Sequence, residues 1–290
     1  MAIYLGLLLF SFVITGISIV PYIGLLFREK NKRFGGIFIV AVVAGLFAVL
    51  FPVLKYFGIY ITSYFDLNQE IQIIFLTFVG FGLLGLADDL KKLERMQKWT
   101  IGFFLAVIIS LLLKVNLNIS AINIPLIGIW NMGWGYALLP LVLIGVFIKG
   151  FNTVDRSDGL AVGVLLIELL AFWVLSVSGF DTPLSFFLAI WIGALVAFLY
   201  FNVYPARIWL GNAGSFAFGA TFAVVGLLLG KPSAVLVMGF IFIFELFAYS
   251  LDLSILESLK KWGWPIPKIM MRGWLSAVML AIFGIWLSLL

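Results

Sequence analysis

Apolar runs, each near the length needed to cross a bilayer, divide this chain from end to end. They fall at roughly 2–27, 36–57, 70–87, 99–115, 136–149, 159–178, 183–201, 213–230, 234–252 and 270–290. A spanning helix takes about 20 apolar residues, and in lipid only helices or closed barrels satisfy their backbone. The 64% hydrophobic and 11% charged composition exceeds what a water-soluble core needs. The expected fold is all-α: a polytopic membrane helix bundle of about ten transmembrane helices. It is read as a single integral membrane domain over residues 1–290. The fifth run is short for a span and is expected to begin earlier or to tilt. The first run lacks a small-residue cleavage site and is read as retained.

Lysine and arginine divide unevenly between alternating loops. One side takes Arg28, Lys30, Lys32, Arg33, Lys91, Lys92, Arg95, Lys98, Lys149, Arg156, Arg207, Lys260, Lys261, Lys268 and Arg272. The other takes only Lys55, Lys114 and Lys231, which completes the 18. Basic loops stay in the cytoplasm, so both termini are expected outside and the protein in the cell membrane. The acids Asp88, Asp89, Glu94, Asp155, Asp158 and Glu257 share the basic side, while Asp66, Glu70 and Asp181 lie opposite. The inner face therefore reads as a site. The net charge of +5 is explained by orientation and does not call for nucleic acid. With no Cys and no His, disulfides, thiolate metal sites and imidazole chemistry are excluded.

Four stretches on the inner side could carry chemistry. In Gly85–Trp99, GLADDLKKLERMQKW, the adjacent Asp88 and Asp89 repel unless a cation joins them, and carboxylate oxygens suit Mg²⁺. Its Lys91, Lys92 and Arg95 also read as headgroup anchors. In Phe151–Gly163, FNTVDRSDGLAVG, the polar groups Asn152, Asp155 and Asp158 recur every three residues and share a face if the segment is helical. Ser157 or Asp158 could instead cap the next helix, and Gly159 with Gly163 permits close helix approach. In Phe201–Ala220, FNVYPARIWLGNAGSFAFGA, small residues open a helix whose N–H groups could receive phosphate. Trp209 there offers a flat face for a base or belongs to an aromatic belt. In Lys260–Trp274, KKWGWPIPKIMMRGW, headgroup anchoring is the strong alternative.

These four motifs, in this order, resemble the polyprenyl-phosphate N-acetylhexosamine-1-phosphate transferases. That family includes the bacterial phospho-MurNAc-pentapeptide transferase and the dolichyl-phosphate GlcNAc-1-phosphate transferase. GLADDLKK is similar to G-x-x-D-D-x-x-K, and FNTVDRSDGLAVG to N-x-x-D-G-x-D-G-L-x-x-G. NVYPARIWLGNAGS is similar to N-x-x-P-A-x-x-F-x-G-D-x-G-S, and GWPIPKIMMRGW to G-W-P-E-P-x-V-x-x-R-F-W. The resemblance implies transfer of a sugar-1-phosphate from a UDP-N-acetylhexosamine to a membrane polyprenyl phosphate, with release of UMP. It implies Asp88, Asp89, Asp155 and Asp158 as catalytic residues. Mg²⁺, with Mn²⁺ as substitute, would be held by Asp88, Asn152, Asp155 and Asn212. Substrate contacts would come from Lys92, Lys98, Asn152, Arg156, Asn202, Arg207, Trp209, Gly211, Gly214 and Ser215. Among these Lys98 would meet acceptor or pyrophosphate charge, and Asn202 and Trp209 the uracil. Expected partners are the two substrates, membrane lipid and, in a homodimer, a second copy.

The pattern breaks at four places. Asn212 stands where the family has an aspartate that ligates magnesium, so metal binding should weaken. Arg156 replaces a glycine between two acids and could neutralise them or touch phosphate. Lys149 replaces the first asparagine of the family's N-A-x-N run. The histidine-rich loop is missing between Asp252 and Trp262. A non-catalytic homologue that binds lipid phosphate, nucleotide-sugar or a partner enzyme is therefore a second reading. A transporter, suggested by Glu168 and Glu245 inside spans, lacks the internal repeats such folds show.

Overall fold

The computed structural model describes residues 2–28, 33–56, 67–115, 117, 121–124, 128–178 and 182–289. Lys30, Lys32, Asp66 and Asp181, assigned above by side, lie outside the described residues. The protein is a helix bundle: α1 (Ala2–Arg28), α2 (Gly35–Tyr56), α3 (Leu67–Lys91), α4 (Arg95–Val115), α5 (Leu138–Val154) and α6 (Leu160–Ser178) come first. α7 (Thr182–Asn202), α8 (Gly211–Leu228), α9 (Pro232–Met238), α10 (Phe240–Ser250), α11 (Ile255–Lys261) and α12 (Ile266–Leu289) follow. Among the described residues nine helices are long and apolar enough to cross a membrane, and α9 with α10 makes a tenth if taken together. The chain is a multi-pass membrane protein.

The span expected at 234–252 is not one straight rod. It breaks between α9 and α10 with a bend of 61°. The fifth span does begin earlier, with a 3₁₀ turn at Gly133–Ala137 leading into α5. It also runs on to Val154, so Lys149 and Asn152 lie on the helix rather than after it. A short antiparallel hairpin, β1 (Ala121–Ile124) with β2 (Gly128–Asn131), precedes it. The hairpin lies within what the sequence presents as an outer connection.

Lipid replaces water as outer solvent, so burial marks the bundle's centre rather than its apolar side. Of the apolar window of α8, 83% is buried, against 22% for α1. α8 packs on α3, α5 and α2, and α7 on α1 and α6. An aromatic seam holds this centre. Phe151 of α5 stacks on Phe242 of α10 with ring centroids 3.8 Å apart, and Phe147 meets Phe222 of α8 edge-on at 4.9 Å. Such pairs each add about 0.5–1.5 kcal/mol beyond area burial. They hold the last turns of α5 in place at Phe151, one residue before Asn152.

Candidate active site

Three helices present matching stripes to one cleft of about 500 Å³. α5 gives Leu141, Ile144, Gly145, Ile148, Lys149, Asn152 and Thr153, continued by Arg156. α4 gives Arg95, Lys98, Trp99, Gly102, Phe103 and Ala106, and α3 gives Phe81, Leu84 and Asp88. Steps of three and four residues keep each set on one helical face. Each stripe changes from apolar to polar along its length. The result is an apolar trough that opens at one end into a charged mouth. Asn212 and Phe216 of α8, with Leu246 and Tyr249 of α10, complete the lining.

The mouth is organised by Asp88, which is only 3% exposed. Lys98 Nζ lies 2.8 Å from both of its oxygens. Asn212 Nδ2 donates to Asp88 Oδ2 at 2.8 Å, and Asn152 Nδ2 donates to Asn212 Oδ1 at 3.0 Å. A chain of bonds thus runs from Lys98 through Asp88 and Asn212 to Asn152. It joins α4, α3, α8 and α5.

The neighbouring Asp89 has a different task. On a helix, successive residues point about 100° apart, so Asp89 faces α8 while Asp88 faces the cleft. Its two oxygens accept the backbone N–H groups of Asn212 at 3.1 Å and Ala213 at 3.0 Å. The carboxylate therefore caps the start of α8, where it also meets the positive end of the helix dipole. The N-terminus of α8 is filled by Asp89 and is not left open for phosphate, as the sequence suggested it could be. Gly211 supplies the turn into α8 with φ +72°, and a Cβ there would lie 2.0 Å from the Arg33 carbonyl oxygen. Gly214 sits where α8 crosses Gly36 of α2. Ser215 donates to the Gly211 carbonyl within its own helix. These three residues build the helix start and do not line the cleft.

The remaining expected site residues separate in the same way. Asp158 Oδ2 accepts the Ala206 N–H at 3.1 Å, tying the α5–α6 turn to the α7–α8 loop. Asn202, 2% exposed, donates to the Ile208 carbonyl across that loop. Asn202 therefore shapes the loop from inside and is not displayed to a base. Arg207 and Trp209 are exposed on the same loop, outside the cleft. Lys92 follows the end of α3 with φ +48°, where the helical stripe no longer continues, and it does not line the cleft. Neither Ser157 nor Asp158 makes the expected side-chain cap of α6. Gly163 does permit close approach: Trp274 of α12 crosses it and donates its indole N–H to the Gly159 carbonyl at 3.1 Å.

Asp155 has no hydrogen bond or ion pair for its carboxylate among the described residues. It closes α5 at the negative end of that helix dipole. Burial first, then the charges of Asp158 and Asp89, raise its pKa well above the ordinary carboxylate range. The folded protein thus keeps this proton at pH values where the unfolded chain has lost it. That contribution to stability is present below the unfolded pKa and is lost as pH rises through the folded one. Asp155→Asn is expected to melt higher than the native chain at pH 7, the gap closing below about pH 4, where the unfolded carboxyl is also protonated. Equal midpoints across that range would contradict this.

Comparison with known proteins gives the same direction. Residues 71–230, more than half of the chain, match the family described as glycosyl transferase family 4. The chain belongs to this family. It is 28% identical over 233 residues to the phospho-N-acetylmuramoyl-pentapeptide-transferase of Clostridium novyi (strain NT), covering 74% of this chain and 71% of that protein. The enzyme of the same name from Acetivibrio thermocellus is 28% identical over 244 residues, 75% of this chain and 73% of that one. The one from Staphylococcus haemolyticus is 28% identical over 251 residues, covering 76% and 77%.

Within this family-4 framework the expected metal ligands do not form a cation site. Asn212 turns its amide nitrogen, a donor, toward Asp88, and its oxygen already accepts from Asn152. Lys98 neutralises Asp88. Asp155 is the one expected ligand whose carboxylate stays free. Among the described residues no group of three or more acidic, His or Cys side chains gathers as a metal site. The donor set therefore does not fit a resident divalent ion between Asp88 and Asn212. The sequence marks Arg95 only as a headgroup anchor and Lys149 only as a departure, and it assigns no role to Trp99 or Tyr249. The signal that would have placed them in the cleft was spacing: Arg95 lies three residues from Lys98 and four from Trp99, Lys149 three from Asn152, and Tyr249 three from Leu246.

Proposed function

We propose that this family-4 protein transfers a sugar-1-phosphate from a UDP-N-acetylhexosamine to a polyprenyl phosphate, and that the cleft seats the lipid acceptor. The observation that carries this reading is the union of an apolar trough and a cationic mouth in one cleft. An isoprenoid chain matches the trough, and its terminal phosphate the mouth. The basic loops lie at the same end as that mouth, so the reaction is assigned to the cytoplasmic side of the cell membrane.

In this reading an acceptor phosphate oxygen attacks the donor phosphorus that carries the sugar. The bond from that phosphorus to the UMP oxygen breaks, and UMP leaves with the electron pair. The acceptor, a phosphate monoester with a second pKa near about 6, is largely dianionic at neutral pH and needs little help from a base. Asp88 serves as the anchor that holds Lys98 and Asn212 at the reacting phosphates. Arg207 and Trp209, exposed a few residues before Asn212, are assigned to the donor nucleotide. The related proteins are named phospho-N-acetylmuramoyl-pentapeptide-transferases, which supports this reaction class.

The test is UMP release by purified protein in detergent, with polyprenyl phosphate and a panel of UDP-sugars, run in EDTA, Mg²⁺ and Mn²⁺. Release that requires the lipid and falls on the order of 100-fold in Asp88→Asn is the expected result. One observation favours a second reading, a homologue that binds without turnover: Lys98, Asp88, Asn212 and Asn152 are bonded to one another in a chain across the mouth. No UMP release from any donor, with lipid phosphate still bound, would establish that reading instead.

A further inference from the structure

The mouth holds four cations but uses two of them internally. Lys98 is paired with Asp88 at 2.8 Å. The Arg156 guanidinium lies 3.2 Å from Glu257 and 3.9 Å from the Tyr249 ring centroid, and its carbonyl accepts from Lys260. Arg156 is thus held toward α10 and α11. It does not neutralise Asp155 or Asp158, as its place between them had suggested. Arg95 and Lys149 are left, and among the described residues neither has a carboxylate partner. They come from the two facing walls, α4 and α5. Lys149 is held across the gap by the face of Trp99, 5.6 Å from the ring centroid, a contact that positions an ammonium without cancelling its charge.

A phosphate monoester carries about −1.5 to −2 charges at neutral pH. Two uncompensated cations on opposite walls match that charge. A divalent ion does not belong beside them: it would join two positive side chains and face an amide donor at Asn212 where a second carboxylate would be needed. We propose that Arg95 and Lys149 form the phosphate seat for the lipid acceptor, and that the seat works without a resident divalent cation. This rests on the acceptor-cleft reading above but not on turnover, since binding alone reports it. Lys149 is the residue that distinguishes this seat, because it brings to the mouth a charge that Trp99 holds in place and no carboxylate among the described residues cancels.

The experiment measures binding of farnesyl monophosphate to the full chain in detergent, in EDTA and in Mg²⁺. Inorganic phosphate, farnesol and UDP-N-acetylglucosamine serve as competitors. Native protein is expected to bind equally in both buffers. Lys149→Gln and Arg95→Gln should each weaken binding about tenfold, the equivalent of one lost charge-assisted contact, and Lys149→Arg should restore most of it. Inorganic phosphate should compete weakly and farnesol weaker still, since each supplies half of the ligand. Loss of native binding in EDTA would overturn the metal-free seat. Unchanged binding in both glutamine variants would overturn the assignment of the two cations. Stronger competition by UDP-N-acetylglucosamine than by excess farnesyl phosphate would move the pair to the donor and overturn the acceptor seat. Intact, cation-dependent binding with no UMP release would leave the seat standing and reject only the transferase reading.

Discussion

Asn212→Asp is expected to turn a protein indifferent to magnesium into one that melts higher in its presence. The change is nearly isosteric, so the helix start survives. It replaces an amide donor by a carboxylate oxygen 2.8 Å from Asp88 Oδ2. At that distance and an effective dielectric of about 20, two unit charges repel by about 6 kcal/mol, part of which Lys98 offsets. The variant can relieve this by taking up a proton or by taking in a cation. In EDTA its melting midpoint should fall below that of the native chain. With Mg²⁺ at about 100 times its dissociation constant the gain is about 2.7 kcal/mol, a shift of several degrees for a chain of this size. The native protein should show no shift, because its Asp88 is already satisfied by Lys98 and Asn212. A native midpoint that rises with Mg²⁺ as much as that of the variant would show that the native site takes the ion after all.

Gly85→Ala is expected to break the α3–α8 contact that sets the mouth of the cleft. A Cβ at Gly85 would stand 2.3 Å from the Asn212 carbonyl oxygen and 2.6 Å from the Ala213 Cα. Both are backbone atoms, so no side chain can turn aside. α8 must move away from α3, and with it go the two N–H groups bonded to Asp89 and the amide bonded to Asp88. Overpacking of this kind costs about 3 kcal/mol at the upper end of its usual range, and each bond to a charged group lost adds about 1.5–3 kcal/mol. Gly45→Ala is the matched control, since nothing lies within 4 Å of a Cβ there. The yield of monodisperse protein and its melting midpoint should collapse for Gly85→Ala and stay native for Gly45→Ala. Similar behaviour of the two would mean that the α3–α8 contact does not set the site.

That contact also marks the boundary of what the sequence could tell. The membrane bundle was readable because lipid demands long apolar helices, whatever their partners. The gathering of four distant motifs on one face was readable from the lysine and arginine bias. The division of labour between Asp88 and Asp89 was not. It depends on which helix each carboxylate faces, and that is decided where α8 passes Gly85. Likewise Asp158 and Asn202 looked like ligand contacts because a polar group at a membrane edge needs a partner. Their partners are backbone groups of the α7–α8 loop, which the sequence places no nearer than other loops. The cleft stripes on α4 and α5 were hidden for another reason. In a span that faces lipid on its other side both faces are apolar, so the usual alternation with a polar face is missing. The break between α9 and α10 left no mark either, since glycine is common within spans.

In the proposed reaction one cleft holds the acceptor lipid, phosphate at the mouth and isoprenoid chain in the trough. The most direct measurement is photocrosslinking with a polyprenyl phosphate that carries a diazirine in its first isoprene units, followed by peptide mapping. Crosslinks should fall on the trough residues Phe103, Ala106, Leu141, Ile144 and Leu246, and should fade when excess unlabelled polyprenyl phosphate is added. Crosslinks spread over the outer faces of α1 and α12, unaffected by that competitor, would place the lipid outside the cleft and contradict the account.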